Sequence, residues 1–278
     1  MTTSPISFTR IRLIAGNTLL EAARQRLFHF LLFFAVALVL GARWFRDFNF
    51  GAPELKFLSD FGFGAMAFFG AALTITATAQ LFFSEIENRT VLTLLAKPVG
   101  RADFVLGKFF GVAAVTAIFC ALLTGILTAV LATRETALAH EMPEAVARGG
   151  RIHLESVVAA GLVQWSKLAV LGAFTLLVAS FAQSQLFTVI AGFFILVICH
   201  LQYLAQESYA RAGSAVAQFV GVVIGLLFPN FQLFNLGDEL GLGGALAWER
   251  VARVELYALG YVAAACALAI YCFRQREI

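Results

Sequence analysis

Six apolar stretches constrain this chain more than any other feature. They run at about 27–42, 61–83, 109–132, 163–181, 186–204 and 256–273. A helix crossing the hydrocarbon core of a bilayer needs about 20 mainly apolar residues. Inside lipid every backbone N–H and C=O must be satisfied within the protein, so such runs read as helices. A seventh run, 215–228, stops at Pro229 and is shorter than a span, which suits a re-entrant or interfacial segment. The composition agrees: 60% of the 278 residues are apolar and 13% are charged, against roughly 45–50% and 25% in soluble domains. A disordered chain, a nucleic-acid binder and an ordinary cytosolic enzyme are thereby excluded. Cys120, Cys199, Cys266 and Cys272 all lie in apolar runs and read as small core residues rather than a disulfide framework.

Basic residues orient the spans. With both termini on one side, the segments 1–26, 84–108, 182–185 and 274–278 hold 10 Lys and Arg in about 60 residues, against nine in about 100 for the other loops. The denser set is assigned to the cytoplasm. The apolar run after Arg24 and Arg26 is too long for a signal peptide and lacks a good cleavage site. Before it, Phe8, Ile11, Ala15, Leu19 and Ala22 recur at helical spacing. This predicts an amphipathic helix lying in the cytoplasmic interface, with a cytosolic extension of the first span as the alternative.

The segment 84–110, SEIENRTVLTLLAKPVGRADFVLGKFF, is the most informative. Glu85 and Arg89 form an i, i+4 pair in the favourable order. Pro98 should end a short helix, because proline has no N–H and restricts Lys97 before it. Gly100 permits a turn, and a new helix is expected near residues 101–103, leading into the third span. A short helix of this kind can dock into a groove on a soluble partner. Equally, it can be a solvated linker whose charges set topology.

This segment resembles the signature region of type-2 ABC exporter permeases. The resemblance rests on Glu85, Glu87, Thr90, Leu94, Leu95, Lys97, Pro98, Arg101, Phe104, Gly107 and Lys108. Three further features agree in order and place. NTLLEAARQR (17–26) looks like that family's interfacial elbow helix, PNFQLFNL (229–236) like its segment before the last span, and FRQRE (273–277) like its cytoplasmic end. The resemblance implies an all-α integral membrane protein with six transmembrane helices, an N-terminal elbow helix, a cytoplasmic coupling helix and a half-helix segment before the last span. It implies one membrane domain, 1–278, in the cell membrane, with both termini cytoplasmic. Its parts would be a tail and elbow (1–26), spans one and two (27–83) and a coupling segment (84–108). Spans three to five (109–204, with an outer loop at 133–161), an outer loop with the half-helix (205–255) and the last span (256–278) would follow. It implies dimerisation with a second permease subunit and docking of a cytosolic ABC ATPase. That docking would use a coupling helix over 85–96, with Glu85, Glu87, Arg89, Thr90, Leu94, Lys97, Pro98 and Arg101 as the contact set. The outer loop 133–161 is a departure from the pattern.

No GxxxxGK[ST] phosphate loop is present, so ATP and Mg are expected in the partner ATPase and no cofactor on this chain. His29, His140, His153 and His200 show no metal-ligand spacing, and no catalytic constellation is apparent. Polar residues within spans are where function is sought. Thr74 and Thr78 share a helical face, and with Gln80, His200, Gln202 and Lys167 they form the candidate pathway that the resemblance suggests. The competing reading has the Thr hydroxyls bonded to their own backbone and His200 and Gln202 near an interface. Lys167 follows Gln164, Trp165 and Ser166. It reads either as snorkelling to the outer interface beside an aromatic anchor or as a charge facing substrate or partner. Two functions follow: an ATP-driven exporter permease, or a non-transporting ABC-type membrane component that relays ATPase motion.

Overall fold

The computed structural model describes residues 7–44, 54–87, 100–141, 153–210, 215–236 and 248–276. Among them every regular element is a helix. Helix α1 (Phe8–Arg24) and α2 (Arg26–Gly41) are separated by Gln25, whose extended backbone (φ −70°, ψ 134°) breaks the hydrogen-bond ladder. The two axes bend by 66° there. After a 3-10 turn at Ala42–Trp44 come α3 (Glu54–Glu87), α4 (Arg101–Glu141), α5 (Leu154–Phe181) and α6 (Gln185–Ala210). The short α7 (Ala215–Leu227), a 3-10 turn at Phe231–Phe234, and α8 (Trp248–Gln275) complete the chain.

Five helices are individually long and apolar enough to cross a membrane, and the bent α1–α2 pair makes a sixth if the two count as one span. The protein is thus an all-α membrane protein. The helices overrun the apolar stretches read from sequence. Helix α4 has 41 residues, or about 60 Å at 1.5 Å per residue, roughly twice the hydrocarbon thickness of about 30 Å. Part of the expected outer loop 133–161 is therefore helix: 133–141 continues α4 and 154–161 opens α5, while 142–152 lies outside the described residues. Hydropathy marks only the greasy part of a helix. Beyond it, side-chain pairs hold these two together, since Arg134 donates to both carboxylate oxygens of Glu54 at 2.6 and 3.2 Å, joining α4 to α3.

Helix α5 is the hub, packed against α3, α4, α6 and α8. In its most apolar window 72% of residues are buried, against 22% in α6 and 28% in α8. In lipid no hydrophobic force drives helices together, so close approach relies on small residues. Gly172 of α5 illustrates this: a Cβ there would sit 3.2 Å from the Thr74 methyl of α3. Helices α6 and α7 instead turn large side chains outward, Phe194, Phe219 and Leu226 among them.

Helix α7, at 13 residues, reaches about 20 Å and is too short to cross the core. Its end is tied to α8. The Tyr261 hydroxyl donates to the carbonyls of Gly225 and Leu226, and the Asn230 N–H donates to the Tyr257 hydroxyl.

Candidate functional site

Arg89, Thr90, Leu94, Lys97 and Pro98 lie outside the described residues, as does the side chain of Glu87. What is described are the two anchors of that segment, the end of α3 and the start of α4.

Glu85 stands in the last turn of α3. Its Oε1 lies 2.6 Å from Lys108 Nζ of α4, with side-chain exposures of 12% and 2%. The sequence pairs Glu85 with Arg89, the nearest cation one turn on. The fold adds a partner 23 residues away in sequence, because the hairpin brings the second turn of α4 against the end of α3. Beside Glu85, Ser84 donates to Glu21 of α1 at 3.3 Å.

The start of α4 is capped from within. Asp103, in the first turn, accepts from the Gly100 N–H at 3.4 Å. This is the carboxylate half of a capping box, an acid reaching back to the residue before the helix. Its other oxygen accepts from the Ser7 N–H at 3.0 Å, and Arg10 lies 3.4 Å away. Asp103 is fully buried, so α1 is latched to α4 where the cytoplasmic segment ends.

Arg101 takes a different partner. Its guanidinium donates to the carbonyls of Phe273, Arg274 and Arg276 at 3.0, 2.7 and 3.1 Å. Carbonyls at a helix C-terminus have no intrahelical donor, and a cation there also complements the helix dipole. Arg276 in turn donates to Ala179 O at the end of α5. Beneath lie three mutually packed rings, Phe82, Phe104 and Phe273, with centroids 5.4–5.8 Å apart. One knot thus gathers α1, α3, α4, α5 and α8 around both ends of segment 88–99. Arg101 was legible as a site residue; Asp103, Lys108 and Arg276 were not given that role. The acid after Gly100 was the available signal.

Helix α1 seats on α4 across the pair Gly107 and Gly111, a GxxxG step that lets helix backbones approach. A Cβ on Gly107 would fall 2.6 Å from Ile14 Cβ, and one on Gly111 2.5 Å from Thr18 Cβ. The buried face of α1 is Ile11, Thr18 and Ala22, while Phe8 is 80% exposed. Ile11 and Ala22 belong to the apolar stripe read from sequence, and Thr18 joins them because fit against two glycines selects shape rather than hydrophobicity.

Within the spans, Thr74 and Thr78 are buried, and their hydroxyls donate to the carbonyls of Gly70 and Thr74 at 2.7 and 2.6 Å. They satisfy themselves on their own helix. Gln80 is half-buried on another face of α3, and Gln202 is buried on α6.

Lys167 and His200 come together. Lys167 Nζ lies 3.1 Å from His200 Nε2, and His200 Nδ1 lies 2.9 Å from Leu196 O. The carbonyl requires a proton on Nδ1, so Nε2 accepts from the ammonium. The ammonium also sits 5.3 Å over the Phe231 ring, against which His200 packs edge to face. Lys167 is only 8% exposed. Its charge is held inside the bundle by α6 and the 3-10 turn, so it does not reach out to an interface. Neighbouring Ser166 donates to Glu255 of α8 at 2.6 Å. Neither Phe231 nor Glu255 was singled out in the sequence, since nothing local marks a contact across 64 or 89 positions. Among the described residues, no group of three His, Cys, Asp or Glu side chains is placed to hold a metal ion.

Comparison with known families agrees with this architecture. Residues 12–278 match the family described as ABC-2 family transporter protein. No curated protein matches the chain. A match over nearly the whole length, on an all-α membrane fold, makes this chain a multi-pass membrane permease component that works with an ABC ATPase: it belongs to the ABC-2 family of transporter proteins.

Proposed function

We propose that the chain is the permease subunit of an ATP-driven exporter, acting as a dimer by alternating access. A cytosolic ATPase, which holds the ATP and Mg, docks on the coupling helix over 85–96. Its contact set is Glu85, Glu87, Arg89, Thr90, Leu94, Lys97, Pro98 and Arg101. Helix α1 is the elbow, and both termini are cytoplasmic.

The observation that carries this reading is the anchoring on either side of that segment. Glu85 is held by Lys108, and Arg101 grips the end of α8. A pull on the segment therefore reaches α3, α4 and α8 together. Within the bundle, Lys167, His200 and Gln202 carry the pathway role. Thr74 and Thr78, already bonded to their own backbone, contribute packing.

The test is co-purification and reconstituted transport. Solubilised protein should carry an ATPase subunit. Glu87→Lys or Leu94→Trp should weaken that association by at least about tenfold, a loss of about 1.4 kcal/mol, and reduce ATP-coupled transport with it. Undiminished association in both variants would remove the docking surface from 85–96.

A second reading is favoured by one observation. Thr74, Thr78, Lys167 and His200 all find polar partners inside the protomer, which suits a component that relays ATPase motion without carrying cargo. ATP-dependent accumulation of any substrate in vesicles would reject it.

A further inference from the structure

A cleft of about 360 Å³ opens between α4, α5 and α8. Its walls are apolar, with Phe109 and Phe110 from α4, Trp165 from α5, and Leu259, Val262 and Cys266 from α8. One lining residue is charged: Glu255, which stands one position before the apolar run of the last span. Its Oε2 accepts from Ser166. Its Oε1 is buried and has no hydrogen-bond partner among the described residues.

A carboxylate oxygen left bare against apolar walls is costly, and a charge at membrane depth calls for a partner. Two basic residues close in sequence to Ser166 and Glu255 have other contacts, Lys167 with His200 and Arg253 with Glu249. The cleft also has a direction. Residues 255–266 of α8 rise about 16 Å at helical pitch, close to half of the roughly 30 Å hydrocarbon core. The carboxylate lies at one end of an apolar trough about one leaflet long.

We propose that this cleft binds a membrane lipid whose head group carries a protonated primary amine. The ammonium sits on Glu255 Oε1, and one acyl chain runs along Leu259, Val262 and Cys266 against Phe109 and Phe110. The site lies on the flank of one protomer, and the proposal stands whether or not the chain moves cargo.

Trp165 in the wall provides the readout. The full chain carries Trp44→Phe and Trp248→Phe, which replace two exposed indoles and leave Trp165 as the sole reporter. It is reconstituted in phosphatidylcholine nanodiscs containing a small fraction of chain-brominated phosphatidylethanolamine or, separately, chain-brominated phosphatidylglycerol. Phosphatidylethanolamine should quench Trp165 with about tenfold higher apparent affinity, as expected for a hydrogen bond to a charged group. Glu255→Gln should abolish the preference between head groups. Ala263→Phe, which narrows the cleft at an exposed lining position, should lower quenching by phosphatidylethanolamine to the phosphatidylglycerol level. Equal quenching by the two lipids in the parent protein overturns the proposal. So does a preference that survives either substitution in protein that retains its helical circular dichroism.

Discussion

Glu85 and Lys108 form a buried ion pair of 2.6 Å that closes the hairpin between α3 and α4 just inside the segment 88–99. A pair held away from water is a weak net source of stability, but removing one partner strands the other charge. Lys108→Met should therefore destabilise the protein by about 3–5 kcal/mol, seen as a lower unfolding temperature in detergent. The double variant Glu85→Gln with Lys108→Met should recover much of that loss. A single variant as stable as the parent would mean that water reaches the pair.

Arg101 provides a second test. Its three contacts to the carbonyls of Phe273, Arg274 and Arg276 all run from one guanidinium nitrogen, Nη1, carried there by a rigid planar group. Arg101→Lys keeps the charge and loses the rigid group that sets that nitrogen against the helix end. Amide hydrogen exchange over 270–276 should rise at least about tenfold, the equivalent of about 1.4 kcal/mol of local opening, while the middle of α8 stays protected. Unchanged exchange would mean the carbonyls are capped from elsewhere.

The seat of α1 on α4 should tolerate no side chain. Gly111→Ala puts a Cβ within 2.5 Å of Thr18 Cβ, and overpacking of that kind costs about 1–3 kcal/mol. Trypsin should then cut faster at Arg24, which ends α1. Thr18→Ala in the same chain should partly restore resistance, because it removes the opposing atoms. Faster cleavage in the double variant than in the single would contradict the assigned contact.

Lys167→Met should separate role from stability. It removes the ammonium that His200 accepts from while preserving much of the stem's volume, so thermal stability should fall by no more than about 1–3 kcal/mol. Association with the ATPase should persist, whereas transport, on the proposed reading, should be lost. Transport at the parent rate would reduce Lys167 to a packing residue.

Much of this protein was readable before any fold. The six apolar runs and the start of a helix near Arg101 follow from local rules: hydrophobic length, caps and helix breakers. The partners of Lys167 were not readable. A lysine after a tryptophan near the end of an apolar run looks like a snorkelling residue. Only the extension of α5 back to Leu154 buries it deep in a helix, facing His200 and Phe231. The seat of α1 was not readable for a similar reason. Periodicity identifies a face, but Gly107 and Gly111 decide which part of it fits.

By itself, the sequence determined that the chain is helical and membrane-embedded, because lipid allows few backbone solutions and hydropathy reports them directly. Only the tertiary structure decided that Glu85 meets Lys108, that Arg101 caps α8 and that Lys167 faces inward. Those pairings depend on which helix faces touch. In a bilayer that choice is made by small-residue fit and by the need of each buried charge for a partner, over distances that no local pattern records.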